Sequence, residues 1–104
     1  MLAPQAQALT QFVIQGKWCS PTLRYEFSPK RMRVHRLNDG VKANFVVLRY
    51  EFFDNTVKVI WRKHSGDETW TRFGNFDAEG RVMTQLPEAE FANMPRRQFR
   101  RCTH

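Results

Sequence analysis

The sequence predicts an all-β protein, an eight-stranded antiparallel up-and-down barrel formed by a single domain. Three observations support this prediction. Apolar and polar residues alternate with a period of two over most of the chain, turn-forming residues recur at strand-length intervals, and the 104 residues allow one compact domain and little else. A meander of eight short strands joined by tight turns closes most naturally into a barrel.

Alternation locates the strands along the chain. In the second one, Leu23, Tyr25 and Phe27 alternate with polar side chains, which is the pattern of an antiparallel strand with one face on a core. Gly, Asn and Asp residues lie between the alternating segments and tolerate the positive φ of hairpin turns. The predicted strands cover residues 14–19, 22–28, 31–37, 41–53, 56–64, 68–74, 81–86 and 97–102.

Two segments interrupt the alternation and predict short helices. Residues 4–12 predict a short N-terminal helix at the barrel entrance. Residues 87–94 begin with Pro, carry acids in their first turn and are followed by Pro95, so they predict one or two helical turns before the last strand.

The first residues carry a feature of exported proteins. Ala6 and Ala8, with Gln7 between them, form the small-x-small pattern that signal peptidase accepts. We expect residues 1–8 to be the end of a signal peptide or a disordered terminus, and residues 9–104 to form the barrel domain.

Cysteine usage also favours export. Cys19 and Cys102 lie near the two ends of the predicted barrel, where a disulfide would join the first and last strands. Two free thiols are the alternative in a reducing cytosol, and no Cys-x-x-Cys indicates redox chemistry. We therefore expect a structural disulfide and a periplasmic or secreted location.

Composition excludes several classes of protein. A hydrophobic fraction of 41% argues against intrinsic disorder, and no run approaches the roughly 18 apolar residues of a membrane-spanning helix. The 17 Lys and Arg residues exceed the 10 Asp and Glu residues, which gives a net charge of +7. That excess indicates either binding of nucleic acid or another polyanion by counterion release, or a solvated basic surface.

The cations of the predicted anion-binding alternative fall in two clusters. Lys30, Arg31 and Arg33 lie at the third strand, and Arg96 and Arg97 at the eighth. Alternation directs Arg31 and Arg33 outward, whereas most aromatic residues have the opposite phase. Because a single-strand nucleic-acid binder stacks bases on aromatics between its cations, this phasing counts against nucleic acid but not against other anionic polymers.

A Gly-x-Trp triplet stands at the start of the first predicted strand, formed by Gly16 and Trp18 with Lys17 between them. It resembles the lipocalin-like (calycin) barrels, among them short domains of bacterial exported proteins. The resemblance implies that Trp18 closes one end of the barrel and packs under an arginine of the last strand. Arg100 and Arg101 are the matching candidates.

The aromatic residues allow two interpretations. They either fill the interior of a small barrel or line an apolar pocket. If there is a pocket, Tyr25, Tyr50, Trp61 and Trp70 are its candidate lining. This leads to the first functional hypothesis, a non-enzymatic module that binds a small apolar ligand or a protein partner at the barrel mouth.

No residue pattern indicates catalysis, a metal or a cofactor. His35, His64 and His104 lack metal-ligand spacing. His64, Ser65 and Asp67 share one predicted turn, where a catalytic triad rarely forms, and there is no phosphate-binding loop. We therefore expect no enzyme activity, and the sequence does not indicate an oligomeric state.

Overall fold

The computed structural model describes residues 11–103, with side chains from Val13 onward, and shows a closed eight-stranded barrel. Each strand pairs antiparallel with the next in the chain, and the last pairs with the first. One helical turn, α1 (Gln11–Ile14), precedes the barrel. The strands are β1 (Gly16–Cys19), β2 (Leu23–Phe27), β3 (Arg31–Arg36), β4 (Lys42–Phe53), β5 (Thr56–Arg62), β6 (Glu68–Gly74), β7 (Val82–Leu86) and β8 (Arg97–Arg101).

The predicted all-β, up-and-down barrel is confirmed, and it is consistent with a lipocalin-like fold. Every strand boundary falls within two residues of the predicted one. A single 3-10 turn, Ala89–Phe91, precedes β8 where helical turns are predicted. The helix predicted over residues 4–12 lies almost entirely outside the described residues, as does the predicted signal-peptide end. No helix within residues 11–103 is long and apolar enough to cross a membrane.

A bulge in β4 is the main irregularity of the sheet. The pairing of β4 with β5 shifts at this point. Between two paired positions β4 advances by two residues, from Val47 to Arg49, while β5 advances by one, from Trp61 to Ile60. Val47 is buried, and Leu48 is the extra residue of the bulge. Beyond it, Tyr50 is on the inward face. The sequence pattern shows continuous alternation through Leu48 and does not reveal this shift.

Aromatic rings fill the middle of the barrel. The Tyr25 ring centroid lies 5.3 Å from that of Phe27, 5.4 Å from that of Phe73 and 5.2 Å from that of Phe99. Phe73 and Phe99 have no exposed surface, and neither has Met83. These side chains come from four strands, so burial of their rings holds opposite walls of the barrel together.

Trp18 closes the end of the barrel beside α1. Its indole Nε1 donates to the carbonyl oxygen of Ile14 at 2.8 Å, and the Arg101 guanidinium carbon lies 3.9 Å from its ring centroid. Arg101 also donates to the carbonyls of Val13, Gln15 and Gly80. Of the two candidate arginines, Arg101 therefore covers Trp18, whereas Arg100 is exposed on the outer face.

Gly16 permits this close approach. Its φ is +105°, and a Cβ atom there would lie 2.9 Å from Arg101 Nη1. Any larger residue would therefore combine backbone strain with displacement of the guanidinium.

The predicted disulfide is confirmed. Cys19 of β1 is bonded to Cys102, directly after β8, with their Cα atoms 5.2 Å apart. The β1–β8 seam contains only two paired positions, Trp18 with Arg101 and Cys19 with Arg100. The disulfide thus fastens a short seam of the barrel.

Candidate anion-binding surface

The four predicted pocket residues do not share one surface. Tyr25 and Trp61 are buried in the core. The Tyr25 hydroxyl bonds to Oε1 of Gln85 at 3.2 Å, and Trp61 Nε1 donates to Thr71 Oγ1 at 3.0 Å. Their polar atoms are therefore satisfied inside the protein.

Tyr50 and Trp61 are both covered by neighbouring groups. The Tyr50 hydroxyl donates to the carbonyl oxygen of Ser28 at 2.6 Å, and burial raises the pKa of Tyr50 to about 12. The Phe45 ring lies 4.6 Å from the Trp61 ring, and the His64 ring stacks on Phe45, also at 4.6 Å. This packing favours the core-filling interpretation of the aromatic residues.

Trp70 lies on the outside of the barrel, which corrects the expectation that it faces the interior. Thr69, Thr71 and Phe73 take the inward positions of β6. Trp70 Nε1 donates to Glu88 Oε1 at 3.2 Å, and Lys58 Nζ lies 4.5 Å from the Trp70 ring centroid. Trp70 has the same phase in β6 as Arg72 and the opposite phase to Phe73, so its outward position could have been read from the alternation.

Glu88 organises this outer cluster. Arg72 Nε donates to both carboxylate oxygens of Glu88 at 2.9 Å. Partial burial raises the pKa of Glu88, but the hydrogen bonds from Arg72 and Trp70 outweigh it and hold the pKa below its ordinary value. Arg72 is therefore neutralised within the protein, and Lys58 is held against the Trp70 ring.

A second outer surface differs in its charge balance. It is an open groove of about 440 Å³ across β1 to β4, which we call the strand groove. Four cations and a single carboxylate line it. Its lining is Lys17, Arg24, Glu26, Arg33, Val34, His35, Lys42, Ala43 and Asn44.

Strand register brings these residues together. Arg24 pairs with His35, and His35 pairs with Lys42, so the three form one row across β2, β3 and β4. Paired residues on neighbouring strands project from the same face of a sheet, with strands about 4.8 Å apart. In the adjacent row, Glu26 stands between Lys17 and Arg33.

Arg24 has an unsatisfied donor in this groove. Its Nε is buried and makes no hydrogen bond to any described part of the chain. Buried donors are normally paired, because an unpaired one costs about 1–3 kcal/mol. This Nε has almost no accessible surface, so it is not itself a contact point for a ligand in the groove.

A neighbouring hollow lies on the other side of Cys19. It has a volume of about 570 Å³, and three arginines but no carboxylate line it. We call it the arginine hollow. Its lining is Cys19, Ser20, Pro21, Thr22, Arg96, Arg97, Gln98 and Arg100.

The groove and the hollow hold the excess charge of the protein. Together they contain seven of the 17 Lys and Arg residues and one of the 10 Asp and Glu residues. The rest of the chain therefore has ten cations and nine carboxylates, which is close to balance. Four of the five ion pairs found among residues 11–103 lie outside the groove and hollow: Arg36–Asp39, Arg49–Glu51, Lys63–Glu90 and Arg72–Glu88.

The structure separates the predicted cations. Arg33 lines the strand groove, where its Nη1 lies 3.8 Å from Glu26 Oε1, and Arg96 and Arg97 line the arginine hollow. Lys30 and Arg31 are exposed at the start of β3 and line neither.

Sequence reasoning missed most of the groove. Lys17, Arg24 and Lys42 are scattered over three strands and form no cluster in the sequence. Their outward phase was available from the alternation. Their proximity depends on hairpin register, which the alternation does not give.

Metal-binding geometry is absent from the described residues. No group of three or more His, Cys, Asp or Glu side chains between residues 11 and 103 could hold a metal ion. Comparison with known protein families, with curated proteins and with solved structures finds no match to this chain.

Proposed function

We propose that this protein is a non-enzymatic binding module that recognises an anionic polymer through the strand groove. The observation that carries the proposal is the groove itself, in which four cations face a single carboxylate. Cations that are not neutralised internally gain affinity for a polyanion by releasing its counterions.

The proposal favours the second of the two sequence-based hypotheses. The apolar-ligand hypothesis needs Tyr25, Tyr50, Trp61 and Trp70 on one accessible surface, and the packing described above does not support that. Binding of a protein partner at the barrel mouth stays a prediction. The disulfide supports a location outside the reducing cytosol, in the periplasm or in the extracellular space, where such bonds persist.

Retention on immobilised heparin at increasing salt tests the proposal. We expect wild type to be retained at low salt, and Arg24→Gln and Lys42→Gln to elute at lower salt. Arg62→Gln is the matched control, because it removes the same charge from an exposed position outside the groove, where Arg62 donates to the Gly66 carbonyl. Wild type that is not retained, or a control that weakens retention as much as Arg24→Gln, would contradict the proposal.

A further inference from the structure

The strand groove and the arginine hollow are connected through one row of paired residues. Arg100 of β8 pairs with Cys19, Cys19 pairs with Arg24, and the row continues through His35 to Lys42. It crosses five adjacent strands, a path of roughly 19 Å along the sheet at about 4.8 Å per strand. Cations stand at both ends of this row, so it suits an extended chain better than a single small anion.

The lining of this path contains no Phe, Tyr or Trp. Its one aromatic ring is the imidazole of His35. Proteins that hold single-stranded nucleic acid stack the bases on aromatic side chains between the cations. The path therefore offers charge to a polymer but no platform for bases.

Glu26 sets a second condition on the ligand. Its carboxylate lies between Lys17 and Arg33 in the row beside Arg24. A chain with closely spaced phosphates would place anionic oxygens against it, whereas a hydroxyl group can donate a hydrogen bond to it. In the arginine hollow, Thr22 and Gln98 add neutral polar groups beside the arginines.

We infer that the groove and the hollow form one track for an acidic polysaccharide, a chain in which carboxylate or sulfate groups alternate with hydroxyls. The inference rests on the proposed function. It adds the chemical class of the polymer and the surface that the polymer covers, from the groove to the hollow. The arginines and Lys42 contact the acidic groups. Glu26 and the neutral side chains accept from or donate to the hydroxyls.

Binding of oligosaccharides of increasing length to the full chain tests whether one ligand contacts both the groove and the hollow. The probes are a heparin-derived disaccharide and octasaccharide, and the variants are Arg24→Gln in the groove, Arg100→Gln in the hollow and Arg62→Gln as control. We expect the octasaccharide to bind more tightly than the disaccharide. Arg24→Gln and Arg100→Gln should each lower the slope of log K against log salt by about 0.7–0.9, the value for one lost ionic contact.

Two outcomes separate the inference from the proposed function. If Arg24→Gln weakens octasaccharide binding and Arg100→Gln does not, the ligand occupies the groove alone, and the inference is overturned while the function stands. If neither substitution changes binding of any probe, both fail. Thermal unfolding of each variant checks that the barrel is intact.

The ligand class is tested with a polyphosphate and an oligothymidylate of matched total charge. We expect both to bind more weakly than the octasaccharide at equal salt. Glu26→Gln should strengthen polyphosphate binding, because it removes a repelling carboxylate, without strengthening octasaccharide binding. Equal or tighter binding of polyphosphate or oligothymidylate by wild type would overturn the assignment to a polysaccharide.

Discussion

Replacing both cysteines by serine is expected to destabilise the barrel strongly. Cys19 and Cys102 are 83 positions apart, so their bond closes nearly the whole described chain into one loop. In the chain-entropy account, releasing a loop of that length costs about 4.5 kcal/mol at 25 °C. Small domains are stable by about 5–15 kcal/mol in total, so this loss is a large fraction.

Because the disulfide lies beside the β1–β8 pairing, its removal should destabilise that pairing more than the others. β1 and β8 share two paired positions, whereas β5 and β6 share seven. Without the bond, the seam retains its ladder, the Arg101 contacts and the hydrogen bond from the Cys102 backbone N–H to the Lys17 carbonyl. We therefore expect amides along β1 and β8 to lose protection from hydrogen exchange before those of β5 and β6.

Urea unfolding followed by tryptophan fluorescence measures the effect. The Cys19→Ser/Cys102→Ser variant should show a lower free energy of unfolding than the oxidised wild type, by about 2–5 kcal/mol. Reduced wild type is the control for the substitution itself and should match the variant. A loss below about 1 kcal/mol with an unchanged m-value, or uniform loss of amide protection, would refute the reasoning.

Three further predictions concern the Trp18 end and the tyrosines. Arg101→Lys keeps the charge but loses the planar donors that reach three carbonyls, and should lower the unfolding free energy by about 2–3 kcal/mol. Gly16→Ala should destabilise more than Gly66→Ala, because both have positive φ but only Gly16 faces Arg101. Burial raises the pKa values of Tyr25 and Tyr50, so stability is complete below pH 10 and falls above it, by about 1.4 kcal/mol per pH unit for the buried Tyr25 and by less for the half-buried Tyr50, which solvent screens.

Two measurements check these predictions. Urea unfolding compares the arginine and glycine variants, and equal losses for the two glycine substitutions would argue against the close contact. Phenolate absorbance follows the tyrosines, which are the only two in the chain. Ionisation of both near pH 10 in the folded protein would contradict their burial.

The sequence predicted the strands well because alternation is local. Most inward residues, such as Tyr25 or Phe99, alternate with an outward polar neighbour, and the phase of each strand can be read without knowing its pairing. The end-to-end disulfide was predictable for a similar reason, since a closed meander brings its first and last strands together.

The contacts of Trp70 and the composition of the strand groove depend on features that alternation within one strand does not specify. Trp70 is apolar but packs beneath Lys58 and beside Glu88, a contact that depends on the turn before β8. The groove depends on register, because Arg24 and Lys42 share one row with His35 only in the observed pairing of β2, β3 and β4, which alternation within each strand does not specify. Neither the register nor the β4 bulge can be read from the alternation of apolar and polar residues.

Mapping the bound ligand on the protein tests the central claim most directly. Backbone amide chemical shifts are recorded while a heparin-derived octasaccharide is added to the oxidised full chain. We predict that the largest changes lie at Lys17, Arg24, Arg33 and Lys42, with smaller ones around Arg100. Changes centred on Trp70 and Arg72, or on the β5–β6 turn, would contradict the assignment of binding to the strand groove.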